Sequence, residues 1–148
     1  MSAELLIATH LRLAEEALRG ADLLFQGGNR NAAYLTQQAV EQMVLALAQS
    51  EGIHYQRGQQ HQLDTMVRAL PDENTFRASL EALAWLEAYA TAFRYPRTKG
   101  GLVPAPSQDK LKAAISTARD ILRQLTLHFG VEPDDKTDQP VRHAEAPR

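Results

Sequence analysis

The sequence predicts an all-α domain built mainly from long amphipathic helices that pack side by side. Apolar residues in the first and last long segments recur at intervals of 4, 3, 4, 3 and 4, the signature of one helix face. No segment alternates with period two over a useful length, so no sheet is expected, and no internal repeat recurs at a fixed period. The punctuation agrees, because apart from Gly20, which lies off the first stripe, glycine and proline fall between the periodic segments.

The first segment covers residues 2 to about 25. Its stripe is Ile7, Leu11, Ala14, Leu18, Ala21 and Phe25, with Ser2 as the starting cap and Gly27-Gly28 as the stop. Gly20 falls off the stripe and is expected to weaken this helix without breaking it. The second segment starts near Asn29 or Asn31 and runs to about Ser50. Leu35, Ala39, Met43 and Ala46 line one side and Val40, Val44 and Leu47 lie beside it, so this helix should be central. The short glycine-asparagine joint makes the two helices an antiparallel hairpin.

Residues 53–60 are polar and read as a loop. A short helix is expected from about His61 to Leu70, stopped by Pro71. The next is expected to run unbroken from Asp72 or Asn74 to about Phe93. Phe76, Leu80, Leu83, Leu86 and Ala90 form one stripe and Trp85, Tyr89 and Phe93 a second, aromatic one. Pro96 ends it, because proline cannot continue a helix and pushes Tyr95 out of α geometry. A basic loop follows. Ser107 caps the last helix, whose stripe is Leu111, Ile115, Ala118, Leu122, Leu125 and Phe129, with Gly130 closing it. The expected organisation is a helical bundle over residues 1–130 and a charged, proline-rich, disordered tail over residues 131–148.

Composition narrows the chemistry. The chain has 148 residues, the size of one ordinary domain, and no cysteine. That excludes disulfides, thiolate metal sites and thiol catalysis. The formal charge is −2, so any anion-binding surface is a local patch. The first residues lack the basic start and apolar run of a signal peptide, and no stretch approaches the roughly 20 apolar residues of a membrane span. A cytoplasmic address is expected.

The strongest local feature is Phe93-Arg94-Tyr95-Pro96-Arg97-Thr98-Lys99-Gly100-Gly101, where three cations are interleaved with aromatics. Guanidinium groups bind phosphate bidentately, aromatic rings stack on bases, and the glycines let backbone approach a ligand closely. Arg94, Tyr95, Arg97 and Lys99 are thus candidates for holding a nucleotide or an RNA strand. Cations near a helix end also offset its dipole, which is the simpler explanation. Glu41, on the polar side of the second helix with Gln37, Gln38 and Gln42, is placed to meet either Arg94 or His61. As a catalytic base it would need a raised pKa. The simpler role of His61 is capping or packing at the start of the short helix. Of the five histidines, none has the spacing of a zinc motif, so no metal or cofactor is expected. The aromatic stripe suits a core or a dimer contact. The apolar excess of the helices favours a homodimer, with Trp85 and Tyr89 at its interface.

Three segments in order resemble a known family. Asn31-Ala32-Ala33-Tyr34-Leu35-Thr36-Gln37-Gln38-Ala39-Val40-Glu41-Gln42 is similar to the second-helix signature of HEPN domains, helical domains of higher eukaryotes and prokaryotes linked to nucleotide binding. His61-Gln62-Leu63 resembles the family's histidine-leucine element, and Phe93-Arg94-Tyr95-Pro96 its arginine-tyrosine-proline turn. The resemblance implies an up-and-down bundle of four to five helices with one short helix, often a homodimer. It also implies a nucleotide- or RNA-related role, in small prokaryotic members beside a minimal nucleotidyltransferase in toxin–antitoxin-like pairs. Other members are metal-independent ribonucleases, in which an arginine holds phosphate and a histidine shortly after it serves as acid–base. From Arg94 that histidine would fall at 100, 101 or 102, where this chain has Gly100, Gly101 and Leu102. Arg94 carries over and the acid–base does not, so the resemblance implies a binding module rather than an enzyme. The alternatives are a ribonuclease toxin using His61 or Glu41 and a purely structural regulatory partner.

Overall fold

The computed structural model describes residues 2–131, and all its regular elements are helical. They are α1 (Ala3–Gln26), α2 (Asn31–Ser50), α3 (Leu63–Arg68), α4 (Arg77–Glu81), a 3-10 helix (Ala84–Tyr89) and α5 (Gln108–Phe129). The tail expected beyond Val131 lies outside the described residues.

The long helices begin and end where their side chains dictate. Ser2 Oγ accepts from Leu5 N at 3.3 Å and Ser107 Oγ from Lys110 N at 3.2 Å, each relieving a backbone donor that a helix start leaves unpaired. Gly130 closes α5 with a φ of 63°, the left-handed cap that costs a glycine least. Asn29 bends the α1–α2 joint, its Oδ1 accepting from Asn31 N at 2.9 Å.

The helix pair α1–α2 is the most extensive contact of the fold, and α5 packs across both. Ile7, Leu11, Ala14 and Leu18 of α1 meet Val40, Met43, Val44 and Leu47 of α2, with Ile121, Leu122 and Leu125 of α5 behind them. The α2 face is wide, and most of the helix is buried, so it is the central helix the sequence implies. A second, smaller core joins Ala21, Ala32, Ala33, Leu111 and Ile115 at one end of the bundle, backed by Tyr89 and Phe93. Its small residues let three helix termini converge beneath the basic loop.

Gly20 has a packing role that its position off the stripe conceals. A Cβ there would come within 2.8 Å of Leu35 Cδ1, so the glycine lets α2 approach α1 closely. The Leu35 tip can rotate away from one methyl, and alanine regains about 1 kcal/mol of helix propensity, so Gly20→Ala is expected to be near neutral. Gly20→Leu should destabilise by about 1–3 kcal/mol through overpacking. Urea denaturation checks this, and wild-type stability in Gly20→Leu would contradict the close approach.

The long fourth helix expected from Asp72 or Asn74 to Phe93 does not form. The chain turns through short α4, then tightens into the 3-10 segment, with Leu86 N bonding Leu83 O at 3.1 Å and Ala90 N bonding Glu87 O at 3.0 Å. Leu80, Leu83, Leu86 and Tyr89 are spaced strictly by three. Residues three apart drift around an α-helix but superpose on a 3-10 helix. Leu86 and Tyr89 lie in the 3-10 segment, Leu83 just precedes it and Leu80 belongs to α4, and the three leucines are buried, at 0%, 4% and 0% exposure. The aromatic stripe survives as a ladder, with ring centroids 6.0 Å apart for Trp85–Tyr89 and 5.5 Å for Tyr89–Phe93. Lys110 Nζ sits 4.1 Å over the Trp85 ring. The two aromatics offered to a dimer interface are thus engaged within their own chain.

Candidate functional site

The basic segment leaves the 3-10 helix at the end of the bundle where α1 stops and α2 starts. Arg94 lines a cleft of about 120 Å³ with Asn31, Tyr34, Tyr89, Ala90, Thr91 and Phe93. The cleft is far below the roughly 300–1,000 Å³ of an enclosed ligand pocket. It is a shallow surface, suited to a chain laid across it. Tyr95 stands 76% exposed beside it, a free aromatic face.

The loop beyond is held at both ends. The Arg30 guanidinium donates to the Val103 carbonyl and lies 5.5 Å over the Phe93 ring, fastening the start of α2 to both flanks of the loop. At the tip, Arg97 N bonds Gly101 O at 3.0 Å and Gly100 N bonds Arg97 O at 2.8 Å. Gly100 and Gly101 have φ of 92° and 88°, a backbone that side-chain-bearing residues rarely adopt. The glycines expected to admit a ligand thus shape the turn itself. They present Arg97 and Lys99, both exposed, on one tight tip. Among the described residues, Arg94, Arg97 and Lys99 form no ion pair, so their charge is available to an anion.

Glu41 and His61 are brought together, two turns farther along α2. Glu41 is 4% exposed and both its oxygens are engaged. Oε1 lies 2.8 Å from His61 Nδ1, and Oε2 accepts from Gln37 Nε2 at 2.9 Å. Gln37 is itself fully buried, and its Oε1 accepts from Gln38 Nε2 at 2.6 Å. Of the two partners the sequence offered Glu41, the structure selects His61 and not Arg94. The expected capping role of His61 is not observed: Gln62 precedes α3, and it makes no side-chain cap. The His61 ring faces α2 instead, because a buried carboxylate must have a donor.

The loop that carries His61 is anchored by Tyr55, whose hydroxyl donates to the Met66 carbonyl at 2.7 Å. Burial pushes the Tyr55 phenol up from 10.0 to about 12. Ionised phenolate is disfavoured in the fold, so the unfolded chain loses this proton first. Stability should therefore be fully present below pH 10 and fall as pH rises towards about 12. Thermal melts across that range test it: Tyr55→Phe should flatten the alkaline decline, and an unchanged decline would refute the assignment.

Two other histidines serve packing. His10 Nδ1 is 2.7 Å from Gln42 Oε1, tying α1 to α2, and His128 packs between the Phe76 and Phe129 rings. Among the described residues, no group of three or more acidic or histidine side chains is placed to hold a metal, and no helix is long and apolar enough to cross a membrane. A larger groove, about 460 Å³, runs between α1 and α5 past Leu11, Leu18 and Leu122. Two of its arginines are paired, Arg119 with Asp22 at 3.5 Å and Arg123 with Asp120 at 2.7 Å.

Arg30, Asn31 and Tyr34 were not singled out for the basic loop by sequence reasoning. They join it only through tertiary packing, although Asn31 and Tyr34 stand one helical turn apart within the second-helix signature. No curated protein and no solved structure matches the chain. A family model does match, that of the HEPN domain, over residues 7–127 of 148, from the first turns of α1 almost to the end of α5, and the chain belongs to the HEPN family.

Proposed function

We propose that this chain is a non-catalytic nucleotide- or RNA-binding module, and that its ligand is a single strand laid over the surface formed by Arg94, Tyr95, Arg97 and Lys99. Membership of the family supports a nucleotide- or RNA-related role. The observation that carries the strand reading is the shape of the site. Arg94 lines a cleft of about 120 Å³, too small to enclose a nucleotide, and the exposed Tyr95, Arg97 and Lys99 follow it along the chain; among the described residues none of the three cations forms an ion pair. A basic track with an aromatic platform is how strands are held without a deep pocket. The absence of a histidine at positions 100–102 supports binding over cleavage. The module is best read as the cytoplasmic partner of a minimal nucleotidyltransferase in a toxin–antitoxin-like pair, acting as a homodimer. The exposed Leu102 is available to such contacts.

Fluorescence anisotropy with a labelled oligoribonucleotide tests the binding claim. Affinity should fall steeply as salt rises, because each cation that neutralises a phosphate releases a counterion. A lack of binding at low salt, or binding indifferent to salt, would contradict the reading.

A further inference from the structure

We propose that His61 recognises ribose 2′-hydroxyls, its Nε2 held outward by the buried Glu41 carboxylate. The inference rests on the strand-binding reading of the basic loop and adds to it a second contact and a sugar preference.

The tautomer follows from the partners. Glu41 accepts from Gln37 at one oxygen and meets His61 Nδ1 at the other, 2.8 Å away. A carboxylate offers lone pairs only, so Nδ1 carries a proton, and in the neutral ring the lone pair is then left on Nε2. The His61 side chain is 75% exposed against 6% for Glu41, and among the described residues Nε2 has no hydrogen-bond partner. A buried acid thus holds an exposed acceptor in one orientation, and Gln37 and Gln38 brace the acid from behind.

Such an acceptor does not suit a phosphate, whose oxygens also accept. It selects a donor. Along a polynucleotide the donor repeated at every residue is the 2′-hydroxyl, which RNA has and DNA lacks. Base amino groups are donors too, but they vary with sequence.

Placement supports a strand that reaches both contacts. Tyr34 lines the Arg94 cleft and Glu41 bears His61, and the two are seven residues apart on α2. Seven residues are about two turns, so both project from one side of the helix, about 10 Å apart along its axis. A strand with a phosphate at Arg94 runs along that side to reach the imidazole.

Anisotropy with oligouridylate, oligodeoxyuridylate and 2′-O-methyl oligouridylate tests the inference, since the base is held nearly constant. Wild type should bind the ribo strand about fivefold more tightly than either other strand, the order of one net hydrogen bond. His61→Asn retains an amide N–H near the Nδ1 position, facing Glu41, and removes Nε2. It should abolish the ribo preference. The 2′-O-methyl strand makes the same test without altering the protein. Equal binding of ribo and 2′-O-methyl strands by wild type, or a ribo preference retained in a folded His61→Asn, overturns the proposal. Arg94→Ala should weaken all three strands alike. If it does so while the His61 result fails, only this inference falls. If Arg94→Ala has no effect, the strand-binding reading falls as well.

Discussion

Replacing Arg94 by alanine should weaken binding of a short oligoribonucleotide by roughly 10- to 100-fold, the range of one or two charge-assisted hydrogen bonds. The effect should exceed that of Arg97→Ala or Lys99→Ala. Arg94 lines the cleft with Tyr34 and Asn31, whereas the other two cations stand on an exposed tip where solvent screens them. The fold should be untouched, because the Arg94 side chain is exposed and makes no hydrogen bond or ion pair with another described residue. The three variants compared by anisotropy, with thermal melts as controls, decide the matter. Equal losses at all three positions would mean a diffuse electrostatic attraction and no defined site.

The second large effect is on stability. Glu41→Ala should cost about 2–3 kcal/mol, because it leaves the fully buried Gln37 amide without its acceptor and opens a small void. For a domain of this size that lowers Tm by roughly 5–10 °C. Glu41→Gln, which keeps one acceptor and nearly the same shape, should lose less. Calorimetry of the two variants tests this. If alanine and glutamine substitutions are equally mild, the buried hydrogen-bond chain contributes little to the fold.

These two residues illustrate what could be read from the sequence. The long helices were legible because their stripes alternate fours and threes and their ends carry Ser2, Ser107 and Gly130, residues whose local chemistry decides a helix terminus without help from the rest of the chain. The segment after Pro71 misled because leucines spaced by three satisfy a helical pattern loosely and a 3-10 pattern fully, and only burial against α2 and α3 chooses between them. At the site, Arg94, Tyr95, Arg97 and Lys99 could be found because they are contiguous. The same residues gave no hint of Arg30 fastening their loop, since that bond crosses 73 positions of sequence. Glu41 offered two partners, Arg94 and His61. The choice depended on how the loop carrying His61 is drawn in by Tyr55, a contact local to that loop and α3.

An NMR titration of isotope-labelled protein with a short oligoribonucleotide tests the central claim most directly. Shifts should concentrate at residues 94–101, at Asn31 and Tyr34, and more weakly at His61. Shifts confined to the α1–α5 groove around Leu11 and Leu122, or no shifts at all, would contradict the assignment of the basic loop as the working surface of this domain.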